Sequence, residues 1–260
     1  MLSLLLSLAA AAPTPLTSTK AWVVDYAETY CSAALSFGTP DAPLDLVVRP
    51  APDGDVLQLY VLKSGGYMVG QHVPVTVGFA GQAVKGTALL YGINKTDRRT
   101  ILINLATDSV RDLPKTRTLT FRGTGIDYAF ALTNFDQVLA ALATCNEDLR
   151  KHWNMGEGAK EKIKTEANPT YALRDLFSSG DYPEQALTEG DSGQAKVMLM
   201  IDENGKVADC LLEHTSGNAS LDAMTCIAFR NRARFRPALD AAGKPAKTVL
   251  HQVVSWRTNL

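Results

Sequence analysis

Apolar and polar positions alternate most clearly near the end of the chain. Val197, Leu199 and Ile201 alternate with Met198, Met200 and Asp202, and a period of two predicts a strand with an apolar outer face. Asn204-Gly205 follows and can supply the positive φ angles of a tight hairpin. Val207 to His214 then reads as the returning strand. Next comes a helical period. Leu221, Met224, Ile227 and Ala228 fall on one stripe, Asn218 or Ser220 can cap its start, and Asp222 suits the positive end of the dipole. Pro237 bars further helix. Gly243-Lys244-Pro245 is a turn, and Thr248 to Arg257 reads as a third strand. Strand, strand, helix, strand suits a small three-stranded antiparallel sheet with a helix packed on one face.

The front half has a different rhythm. Trp22 to Tyr30, Leu44 to Arg49, Val56 to Leu62, Val73 to Phe79, Thr100 to Leu105 and Arg117 to Arg122 read as short strands. Turn signals separate them, among them Pro52-Asp53-Gly54-Asp55, Gly65-Gly66 and Asn94-Lys95-Thr96-Asp97-Arg98. Such spacing predicts a sandwich or an open barrel. A helix closes the unit from Asn134 to Trp153, capped by Asn134 and carrying Val138, Leu139, Leu142, Cys145 and Leu149 on its apolar face. The polar stretch after it and the breaks at Asn168-Pro169 and Ser178-Ser179-Gly180 mark a linker. The whole is an α+β chain: a β-rich domain over 21–153, a linker over 154–180 and a small domain over 181–260.

Leu2 to Ala12 is apolar, ends in small residues and precedes Pro13-Thr14-Pro15. This is the pattern of a secretory signal peptide over 1–12, without the usual basic start. It is shorter than the ~20 apolar residues that a spanning helix needs. The 260 residues carry four cysteines and a net charge of −1. That balance gives no basic footprint for nucleic acid. An even cysteine count in an exported chain suggests disulfides, against the alternative of four free buried thiols. Cys210 lies on a predicted strand and Cys226 on the helix packed over it, so these two would pair. Cys31 and Cys145 would then join the two ends of the first domain.

An ordered set of motifs spans the last eighty residues: Tyr182-Pro183, Gly193, Ile201-Asp202, Gly205-Lys206-Val207, Ser216-Gly217, Leu221-Asp222, Phe235-Arg236-Pro237-Ala238 and Gly243-Lys244-Pro245. The set resembles the C-terminal domain of TonB, the periplasmic end of the bacterial energy transducer. The resemblance implies a periplasmic protein that binds a cell-envelope protein, such as an outer-membrane receptor, by strand addition along its last strand. The matching residues are Thr248, Val249, Leu250, His251, Gln252, Val253 and Val254, with Tyr182 and Pro183 near the family's contact region. Membrane contact would come only through partners. Three departures stand out. A full-length membrane anchor and a proline-rich spacer are missing, and Asp181 replaces the glutamine that often precedes Tyr-Pro. Two alternatives remain: an energy transducer with a shortened or misassigned N-terminus, and an envelope enzyme with a site in the β-rich domain.

Other motifs carry less. Gly190-Asp191-Ser192-Gly193 matches the tetrapeptide around a trypsin-like nucleophile, but the histidine segment of that family is missing, so it reads as the turn before a strand. His72, His152, His214 and His251 show no metal-ligand spacing along the chain, and no metal or cofactor is expected from them. Asp202-Glu203-Asn204-Gly205 has its glycine too early for a calcium loop. Arg230, Arg232, Arg234 and Arg236 could hold an anion, but compensation of the helix dipole and a solvated face explain them better. No catalytic residues are expected.

Overall fold

A computed structural model describes residues 14–65, 70–93, 96–156 and 158–258. The expected signal segment, 1–12, lies outside them.

Nine strands of the front half make one antiparallel sheet: β1 (Val23–Tyr26), β2 (Cys31–Ser36), β3 (Leu44–Pro50), β4 (Val56–Ser64), β5 (Gln71–Phe79), β6 (Gln82–Gly92), β7 (Arg98–Ala106), β8 (Thr118–Gly123) and β9 (Ile126–Ala131). Their order is β1-β2-β3-β4-β7-β6-β5-β8-β9. The sheet curls until its ends approach. Phe37, just past β2, packs its ring 4.8 Å from that of Phe130 on β9, and Leu16 bridges to Phe130. This is the open-barrel form of the expectation. Helix α1 (Phe135–His152) covers the core with Phe135, Val138, Leu142 and Leu149 buried. A disulfide from Cys145 to Cys31 ties it to β2. Asn134 does not cap this helix. Its φ of 53° is left-handed and its side chain makes no cap hydrogen bond, because capping needs an extended backbone that aims the side chain at the first-turn amides.

The remaining elements are α2 (Ala159–Lys162), β10 (Ile163–Thr165), β11 (Asn168–Pro169), α3 (Glu184–Glu189), β12 (Gly193–Ile201), β13 (Val207–His214), α4 (Ala219–Arg232), β14 (Phe235–Arg236), β15 (Ala238–Asp240), β16 (Pro245–Ala246) and β17 (Thr248–Trp256). The stretch expected as a linker is built into the small domain. β10 pairs with β15 and β11 with β14, and Ile163, Ala167 and Leu176 enter the core under α4.

The small sheet runs β13-β12-β17. Its hairpin turns on Asp202, whose Oδ1 accepts from the amides of Asn204 and Lys206 at 2.9 Å each. Gly205 alone takes the left-handed backbone there, at φ 74°; Asn204 does not, since the Asp202 side chain already holds its amide. Asn218 caps α4 through the amides of Ser220 and Leu221. The buried stripe of α4 is Leu221, Asp222, Thr225, Ala228 and Phe229. Ile227 is exposed instead, because it faces the groove between α4 and the large sheet.

Strand β12 is buried on both faces. Val197, Leu199 and Ile201 join the core that includes Ala228 and Phe229 of α4. On the other face Met198 and Leu211 pack on Ala51 and Val56 of the front unit, and Met200 enters the front unit's own core. Polar ties reinforce this seam. Asp209 holds Arg49 at 2.7 Å and Arg230 at 2.5 Å, and Asn104 donates to the Leu212 carbonyl at 3.1 Å.

Candidate functional site

β17 pairs with β12 from Thr248 to Trp256. Among the described residues no strand pairs with its other side. Thr248 is buried, Val249, Leu250, Gln252 and Val254 are half-buried, and His251 and Val253 are exposed. The start of the strand is occupied: Asn154 donates to the Lys247 carbonyl at 2.9 Å, and Val249 packs with Met155 against Met198. The stretch from His251 to Ser255 therefore carries the accessible side chains, with Val253 57% exposed. An open sheet edge bearing an exposed β-branched residue is a template for another strand.

The far end of β17 is anchored. Trp256 is buried and its Nε1 donates to Thr225 Oγ1 on α4 at 2.9 Å. The rings of Phe177 and Tyr182 meet it edge-on, at 5.3 and 5.4 Å. Tyr182 also donates its hydroxyl to the Asp191 carbonyl. Pro183 opens α3 with an extended backbone at φ −60°. Tyr182 thus helps to hold the end of the edge strand in place, while Pro183 starts the short helix beside it. Gly190-Asp191-Ser192-Gly193 closes α3 and starts β12, with Gly190 left-handed at φ 70°. Asp191 Oδ2 accepts from Asn218 Nδ2 at 2.7 Å, which ties this turn to the start of α4.

One region of the chain, which contains this edge and its anchor, matches a known family. Residues 179–258 match the family of the Gram-negative bacterial TonB protein C-terminal. No curated protein matches the chain. The matched region begins just before Asp181 and ends just after β17.

Asp181 is buried under that region and accepts both guanidinium nitrogens of Arg232, at 2.6 and 2.7 Å. It also accepts from the Ser178 amide at 2.8 Å. The Arg232 hydrogen bonds come first among the causes that hold the Asp181 carboxyl far below the ordinary carboxylate range. The arginine run is largely spoken for: Arg230 on Asp209, Arg232 on Asp181, and Arg234 on the Ala233 carbonyl at 2.7 Å.

Beside the free edge lies a cluster the sequence did not reveal. His251 Nδ1 sits 2.9 Å from Glu213 Oε1, and Lys196 Nζ is 3.3 Å from Glu213 Oε2. Burial pushes the Glu213 carboxyl up, but the His251 hydrogen bond and the Lys196 charge outweigh it and hold it below its usual value. The same hydrogen bond raises the His251 imidazole, and burial raises Asp53 alongside. Asp53 comes from the turn between β3 and β4, Glu213 from β13 and His251 from β17, so no local spacing could have announced them.

Proposed function

We propose that the chain works in the periplasm as a protein-binding module. It takes an extended segment of an envelope partner as a further strand along β17. The reading is carried by the one-sided pairing of β17, with its accessible stretch from His251 to Ser255. The TonB C-terminal match over residues 179–258 favours an outer-membrane receptor as the partner. Both disulfides suit an oxidising compartment. Among the described residues no helix is long and apolar enough to cross a membrane. Backbone hydrogen bonds supply the affinity in such pairing, and side chains supply the register.

The test uses the full-length protein as bait in envelope extract, with two proline variants, Gln252→Pro and Val253→Pro. Successive residues of a strand present their amides to opposite edges. One of the two variants therefore breaks the pairing with β12 and loses stability. The other removes a donor from the free edge only. That second variant should stay folded by circular dichroism and fail to capture the partner, while alanine at Val253 weakens capture modestly. A folded edge-proline variant that captures as well as the parent would refute strand addition.

A further inference from the structure

At the seam between the units Asp53 Oδ2 is buried without a hydrogen bond, and Glu213 Oε2, also buried, has the Lys196 ammonium 3.3 Å away in place of a hydrogen bond. Buried polar atoms are rarely left so. His251 stands beside them, and one ligand atom from each of Asp53, Glu213 and His251 lies within 4.8 Å of the other two. The Glu213 side chain is only 2% exposed. A concavity of about 330 Å³ opens against Asp53 and His251 and is also lined by Glu166, which leaves room for water. Two carboxylates and one imidazole with an open, wet side make a donor set suited to a divalent transition cation.

We propose that Asp53, Glu213 and His251 form a binding site for a zinc-type divalent cation, which would pin the β3–β4 turn to the small sheet beside its free edge. The site departs from the expectation, drawn from spacing along the chain, that no histidine here binds metal. Lys196 is its built-in competitor. Its ammonium lies 3.3 Å from Glu213 Oε2, and with its side chain 37% exposed it can swing into solvent. A cation arriving at the three ligands displaces that ammonium and any proton on the ligating nitrogen. The site requires no partner protein, so it stands or falls apart from strand addition.

The test is titration of chelator-treated full-length protein with Zn²⁺ by calorimetry and with Co²⁺ by visible absorption. One site per chain is expected. Glu213→Gln and His251→Ala should each weaken it by at least about tenfold, since even a residue that only orients a ligand costs that much. Lys196→Ala should tighten it, a gain that misfolding cannot mimic. His251→Ala also takes a partner from the buried Glu213 carboxylate, so its metal-free melting temperature should fall, and its fold is checked by circular dichroism before titration. Absence of stoichiometric binding in the parent, or binding unchanged in all three variants, overturns the site.

Discussion

Asp181 shows how much one side chain can hold. Its carboxylate joins the segment before α3 to the end of α4 through Arg232, and it also accepts from Ser178. Charge-assisted, bidentate bonds of this kind are the strong ones. Asp181→Asn should destabilise the protein by about 1.5–3 kcal/mol, the range for a hydrogen bond to a charged group. The pH dependence has a definite sign. The folded carboxyl lies below its unfolded value, which is about 3.9, so the contribution is complete above that value and fades as pH falls through the folded one. Urea midpoints of parent and variant should differ by a constant amount above about pH 5 and converge in stronger acid. A gap that widens on acidification would contradict this assignment. At this scale the sequence was legible where chemistry is local. The Cys210–Cys226 link follows from a strand and the helix over it, and the structure forms it together with Cys31–Cys145. The Asp53–Glu213–His251 group was not legible, since two folding units must dock before its members meet.

Elements with strong alternation are readable in the sequence and those without it are not. β12, β13, α4 and β17 all lie close to where the pattern puts them. β2 escapes that reading because its sequence, Cys31 to Ser36, is mostly small residues of weak strand preference. β6 has Gly86 and Lys85 in its middle, which reads as a break although the strand continues from Gln82 to Gly92. α3 is too short to show a helical period. The hairpin after β12 depends on a single glycine. Gly205 is left-handed at φ 74°, and a methyl group there would meet the Phe235 carbonyl oxygen. Left-handed backbone alone costs an alanine about 1–2 kcal/mol. Gly205→Ala should therefore lower stability by about 2 kcal/mol or more, read from urea unfolding, whereas Asn204→Ala should cost less. Equal effects at both positions would mean that the turn, not the glycine, sets the cost.

Across the whole molecule, two disulfides divide the work unequally. Cys31–Cys145 closes a separation of 114 residues and Cys210–Cys226 one of 16; on the chain-entropy account these contribute about 4.7 and about 3 kcal/mol. The double alanine variant at Cys31 and Cys145 should accordingly melt lower than the one at Cys210 and Cys226. The reverse order would show that native packing around α4 outweighs the unfolded-state effect. The sequence signalled two units, yet it did not signal the seam between them, because Met198, Met200 and Leu211 read as the ordinary far face of an exposed sheet.

That doubly buried β12 has a consequence for how the protein can be taken apart. A fragment of residues 163–258 leaves Met198, Met200 and Leu211, all at most 4% exposed in the whole chain, with no cover. A contiguous apolar face of that kind drives association, so the fragment should sediment as oligomers while the full chain does not. A monomeric, well-folded fragment would show that the seam is dispensable. If the seam holds, the small domain is no portable cassette. It could be moved between proteins in evolution or in the laboratory only with its barrel attached, and mutations on either side of the seam would be inherited as one trait.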